Sequence, residues 1–154
     1  MAGETTTNSA RINTAGGKTL DHIPARTAVN EIWEYATYEV GTAELQLADV
    51  IQMVPVPSGA TVLEVILASD DLDSSTAQPI VLDVGIAGDA DKFIDGSTVG
   101  AGGGVSRLNS VAGLLYQFTA DDTIDITVQV APTTAVAGTL TLAVCFSMAN
   151  LDSL

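Results

Sequence analysis

Histidine, cysteine and positive charge are what this 154-residue chain is short of: it has one His22, one Cys145 and five Lys plus Arg. With a single cysteine, no internal disulfide can form. His22 stands in a polar stretch and Cys145 in the middle of a strand-like run, so no base stands beside a nucleophile and nucleophilic catalysis has no sequence support. Nineteen Asp plus Glu set the net charge at −14, which repels a phosphate backbone and argues against nucleic-acid binding. Aromatics are 5% of residues. That is too sparse for the aromatic platforms on which glycosidases hold sugar, even though acid pairs abound. An enzyme is not expected.

Apolar residues nevertheless make up 47% of the chain, and residues 126–151 carry no charge, a length sufficient to cross a bilayer. The period decides against a membrane helix. Ile126, Val128 and Val130 alternate with Thr127 and Gln129, while Leu140, Leu142, Val144, Phe146 and Met148 alternate with smaller or polar residues. A two-residue repeat is a strand with one buried face, and Pro132-Thr133-Thr134 marks the turn between two such strands. No secretion signal is expected from residues 1–18, which lack an apolar core.

Charge and composition divide the chain into an N-terminal arm, 1–28, and a body, 29–154. The arm holds six Thr and three of the five cations, Arg11, Lys18 and Arg26, and residues 1–30 sum to +1 against −15 for 31–154. Such a segment cannot bury enough surface to fold alone, so it is either disordered or laid along a partner or a neighbouring subunit. The body reads as about eight short strands: 29–40, 43–47, 49–56, 61–67, 80–87, 114–118, 124–130 and 139–148, with 61–67 central. No window carries a helical stripe. The expected class is all-β, an antiparallel two-sheet sandwich of jelly-roll type, with a single barrel as the alternative. Trp33 and Tyr35 share one face of the first strand and are expected in the core.

Three stretches invite a chemical reading. Asp89, Asp91 and Asp95 place carboxylates in one loop, as a hard cation requires, but the third ligand, the glycine and the distal Glu of an EF-hand are missing. Calcium is therefore the one cofactor the pattern admits, against a plain reading as solvated loops in which Asp side chains cap turns. Phe93 and Ile94 in this loop are expected to pack back on the sandwich. Ala15-Gly16-Gly17-Lys18-Thr19 lacks both the upstream glycine and the strand of a phosphate-binding loop, and Gly96–Gly104 fails the dinucleotide spacing. The latter reads as a flexible tip able to settle on another protein, with Gly100, Gly102, Gly103 and Gly104 as candidate contacts.

The passages Leu47-Ala48-Asp49-Val50-Ile51-Gln52-Met53-Val54-Pro55-Val56-Pro57-Ser58-Gly59-Ala60-Thr61-Val62 and Val84-Gly85-Ile86-Ala87-Gly88-Asp89-Ala90-Asp91-Lys92-Phe93-Ile94-Asp95-Gly96 resemble those of small capsid decoration, or cement, proteins of tailed double-stranded DNA bacteriophages. The resemblance implies a β-sandwich that adds to a preformed shell of major capsid protein as homotrimers or homodimers, with no catalytic residues. It implies a place on the outer surface of the virion after synthesis in the host cytoplasm. Arg11, Lys18 and Arg26 of the arm, together with the glycine tip, are then the expected capsid or subunit contacts. The competing readings are a carbohydrate-binding sandwich with calcium at Asp89–Asp95, and a phage fibre or tail subunit. Neither nucleic acid nor membrane is expected as a partner.

Overall fold

The computed structural model describes residues 30–148 apart from 44, 76 and 78. The N-terminal arm, with Arg11, Lys18, Arg26 and His22, lies outside the described residues. Among them there is no helix, and eight strands run in the order β1 (Asn30–Val40), β2 (Val50–Val56), β3 (Ala60–Ser69), β4 (Val81–Ile86), β5 (Asp89–Ser97), β6 (Gly104–Arg107), β7 (Asp122–Val130) and β8 (Gly138–Met148). They form two antiparallel four-stranded sheets, β1-β8-β3-β6 and β2-β7-β4-β5.

The pairings β1 with β8, β2 with β7, β3 with β6 and β4 with β5 are those of one long hairpin folded at the β4–β5 turn. Further pairings of β8 with β3 and of β7 with β4 roll that hairpin into two sheets. This is the topology of an eight-stranded jelly roll, and the expected sandwich is observed. Burial follows the pleat. Leu140, Leu142, Val144 and Phe146 of β8 meet Ile124, Ile126 and Val128 of β7 in a core where nearly all are fully enclosed. A bulge between Val62 and Glu64 shifts the phase of β3, so Ala60 and Val62 point inward before it and Val65 and Leu67 after it. β3 is interior, as expected, and no helix among the described residues is long and apolar enough to cross a membrane.

Four local expectations are corrected. The expected strand at 43–47 is not formed by its described residues, and 46–49 make a turn: Gln46 N–H donates to Asp49 Oδ2 at 2.8 Å, Asp49 N–H to the Gln46 carbonyl at 3.1 Å, and Ala48 sits at φ 69°. Of the expected inward row, Leu45 is buried and Leu47 is exposed. Residues 114–118 are likewise irregular, because Leu115 turns through φ 61° and Gln117 contributes only an isolated bridge to Thr61. The acidic stretch from Asp89, expected as a loop, is strand β5, and the end of the glycine tip is strand β6. Both run along sheet edges, where charged side chains and short length block pairing with foreign strands.

Candidate interaction surface

Register shifts in β5 explain how a strand can carry Asp89, Asp91 and Asp95 outward and still turn two consecutive residues, Phe93 and Ile94, fully inward. Phe93 stacks on Phe118 at 6.5 Å between centroids and meets Tyr116 edge-on at 6.1 Å, so the expected packing of Phe93 and Ile94 is observed. Lys92 Nζ donates to Asp89 Oδ2 at 2.9 Å and lies 4.9 Å from the centre of the Tyr116 ring.

Asp89 and Asp91 share a hydrogen bond. Lys92, with help from that bond, holds the Asp89 carboxyl below its ordinary value, while the same bond holds Asp91 above it. Asp95 borders the same groove, and its N–H donates to Asn109 Oδ1 at 2.9 Å. The three carboxylates border one open groove of about 400 Å³, yet among the described residues no three His, Cys, Asp or Glu side chains are gathered around a point where a cation would sit. Lys92 neutralises Asp89, and Asp89 is in turn hydrogen-bonded to Asp91.

The second acidic run has a structural use. Asp73 is buried, and its carboxylate accepts N–H donations from Ser75, Thr133 and Thr134 at 3.1, 3.0 and 2.9 Å. Those donors, Thr134 foremost, hold the acid below its ordinary value. Asp70 Oδ2 accepts from Thr139 N–H at 2.9 Å. Asp73 fastens the β3–β4 connection to the β7–β8 connection, and Asp70 fastens it to the start of β8.

The glycine tip is tied down, not loose. Gly100 is buried, its carbonyl accepts Leu72 N–H at 2.7 Å, and a Cβ at this position would lie 2.9 Å from Ile80 Cγ2. Gly102, Gly103 and Gly104 are exposed at φ values of 154, 74 and 141°, all in backbone that side chains seldom adopt. Of the four glycines singled out as contacts, three are therefore presented to solvent and one is part of the packing.

Composition changes sharply at this tip. From Gly96 to Ala120 there is no acidic residue, and Arg107 is the only charge. The same stretch exposes Val105, Val111, Leu114 and Leu115, with Val111 at 92%. It lines the side of β3 that β8 leaves open. Leu108 N–H donates to the Val65 carbonyl at 2.8 Å, Leu115 N–H to the Val62 carbonyl at 3.0 Å, and Phe118 N–H to the Ala60 carbonyl at 2.8 Å. An acid-free apolar margin thus runs along one edge of the first sheet.

At the other edge of that sheet, Trp33 and Tyr35 on β1 are 53% and 75% exposed, which corrects their expected place in the core. The inward face of β1 is taken by Ile32, Ala36 and Tyr38, and the pleat sends Trp33 and Tyr35 to the outer face opposite Cys145 and Ala143. Cys145 is itself buried, as expected of a small apolar side chain. Burial, then the nearby Glu31 and Glu64, push its thiol up and away from the reactive thiolate. Sequence reasoning missed the acid-free margin, although the gap in the Asp and Glu positions between 96 and 120 is visible without a structure.

The chain is similar to proteins in solved phage capsids. It matches a chain of the cyanophage Pam1 capsid asymmetric unit at 31% identity and a TM-score of 0.70, over 78% of this chain and 86% of that one. It matches a chain of the capsid of Ralstonia phage GP4 at 26% identity and a TM-score of 0.64, over 76% and 84%. A chain from the acidic stable capsid of Helicobacter pylori bacteriophage KHP30 shares the fold at 16% identity and a TM-score of 0.56, over 78% and 93%. No family model matches the chain, and no curated protein does.

Proposed function

Because this chain belongs to a family of phage capsid-associated proteins, we propose that it is a virion structural protein that decorates the head and stabilises it by binding the shell of major capsid protein from outside. The observation that carries this reading is the 31% identity to a Pam1 capsid chain over 86% of that chain's length. The physical character of the body supports it. A protein that must stay dispersed until it docks benefits from 17 acids against two cations in residues 31–154, and it also needs apolar surface free of acids for its contacts. The body has both. No catalytic step is assigned to it.

In this reading the arm, residues 1–28, grips the shell or a neighbouring subunit through Arg11, Lys18 and Arg26, whose charge is opposite to that of the body. Repeated modest contacts over a symmetric shell then add up to stable occupancy. The test is cosedimentation of the full chain with capsids that lack it. The chain pellets with the shells and raises their disruption temperature; a chain left in the supernatant refutes decoration. Removal of 1–28 lowers occupancy, and full occupancy without those residues would take the arm out of the contact.

A further inference from the structure

The strand pairings give the sandwich two unlike ends. Asn30 pairs with Met148, and Met148 pairs on its other side with Ala60. Ala60 follows the turn 57–59, where Gly59 N–H donates to the Phe118 carbonyl at 2.7 Å and Ser58 N–H to Asp121 Oδ1 at 2.8 Å. β7 starts at Asp122 opposite Val56, and Gly85 pairs with Asp125, so the β4–β5 turn lies at this end too. The glycine tip lies at the other end. Gly104 pairs with Ser69 and Val40 with Gly138, and the ten residues of β3, about 30 Å of strand, stand between the two ends. The arm and the tip, expected together as capsid contacts, therefore start from opposite ends. Resting on the decoration reading, we propose that the shell of major capsid protein meets the end from which residues 1–29 depart, and that the glycine tip faces away from the shell.

Charge separates the two ends. The connections at the tip end, 41–49, 70–80, 98–103 and 131–137, hold five acids, Glu44, Asp49, Asp70, Asp71 and Asp73, and no cation. Four of them, the aspartates, already accept backbone N–H groups of their own end. A negative surface whose acids are engaged at home suits water. The connections at the arm end, 57–59, 87–88 and 108–121, hold one acid, Asp121, and it too is engaged, by Ser58 N–H. Asp89 and Asp122 start strands there, the first paired with Lys92 at 2.9 Å and the second accepting Thr123 N–H at 2.8 Å. To this end residues 1–29 bring Arg11, Lys18 and Arg26 against Glu4 and Asp21. A second protein surface meets least repulsion here, and charge of this kind sets the orientation of an encounter more than its strength. The end is also easy to cover. Pro57, Ala87, Gly88, Thr119 and Ala120 are small, uncharged and exposed, so a partner can approach without ordering long side chains. An arm rooted at the docking face, finally, reaches the shell without a detour along the sandwich, which keeps its effective concentration there high.

Thiol labelling of the full chain tests this, because the one native cysteine, Cys145, is buried. Ala87→Cys and Ala120→Cys mark the arm end, and Ala43→Cys and Ala137→Cys mark the tip end; all four positions are exposed. Two positions at each end keep the test decisive if one variant fails to fold, which circular dichroism reports. Each folded variant takes a maleimide while free in solution. Once the variants are bound to shells, the arm-end cysteines lose that reaction and the tip-end cysteines keep it. A polyethylene glycol maleimide attached beforehand to Ala87→Cys or Ala120→Cys abolishes pelleting with shells, and the same group on Ala137→Cys leaves pelleting unchanged. Shell-bound chains that protect the tip end instead, or that leave all four cysteines reactive, overturn the proposal with decoration intact. So does full pelleting of the chain that carries the polymer at its arm end. A wild-type chain that leaves the shells bare sinks the decoration reading and the docking face with it.

Discussion

Asp73 and Asp125 are both buried, and burial has opposite consequences for them. Asp73 is ringed by backbone donors and its carboxyl is held below the ordinary value of 3.8. A depressed acid stabilises the fold above its unfolded value, and that contribution disappears as pH falls through the lower folded one. Asp73→Asn therefore melts lower than wild type at pH 7, and the gap narrows as pH falls below 3.8; thermal melts at falling pH check it. Asp125 sits on β7 between Gln52 and Gly85, and its Oδ1 has no hydrogen-bond partner. Burial pushes its carboxyl up, with Asp122 adding to the effect and Thr123 opposing it. A raised acid is a burden at neutral pH that is relieved as pH falls towards its unfolded value. Asp125→Asn should raise the melting temperature at pH 7 and lose that advantage near pH 4. A variant less stable than wild type at pH 7 would contradict this account.

Strands β1, β4, β7 and β8 were legible because each repeats apolar residues every second position, β2 and β3 because apolar runs flank the Pro55–Gly59 turn, and the two long C-terminal strands declare their turn with Pro132. The edge strands were not. In β5 the sequence Asp-Ala-Asp-Lys-Phe-Ile-Asp-Gly breaks the period, since bulges turn adjacent residues the same way and the charges that guard an edge look like loop composition. In the opposite sense, 43–47 and 114–118 alternate well and still fail as strands, because Ala48 and Leu115 take left-handed backbone that a pattern of hydropathy does not encode. The exposed site was half legible: the glycines pointed to the tip, while the outward placement of Trp33 follows from which face of β1 meets β8's core side, a tertiary fact. One glycine was not singled out at all. A Cβ at Gly85 would land on the Asp89 carbonyl, where the β4–β5 turn folds back over β4. Gly85→Ala is expected to cost about 3 kcal/mol or more, read as a melting temperature lowered by roughly 10 °C.

Across the whole molecule, residues 31–154 carry 17 acids and two cations, and only two ion pairs, Lys92 with Asp89 and Arg107 with Glu64, are formed among the described residues. Self-repulsion on this scale is screened by salt. The melting temperature should climb as ionic strength rises from about 0.01 to 0.15 M, and a flat response would mean that the carboxylates are too far apart or too well hydrated to matter. The nested hairpin has a consequence in time as well. Asn30 pairs with Met148, 118 positions further along, and every pair but β4–β5 closes around the pairs inside it. During synthesis on a ribosome, β4 and β5 can meet early, but β1 has no strand to join until β8 has emerged. The first strand made is among the last to find its place, so folding is governed by distant partners and belongs with the slow, millisecond-to-second β topologies. Until then the Trp33 strand waits in the open, and the glutamates along it are what keep it from joining the wrong chain.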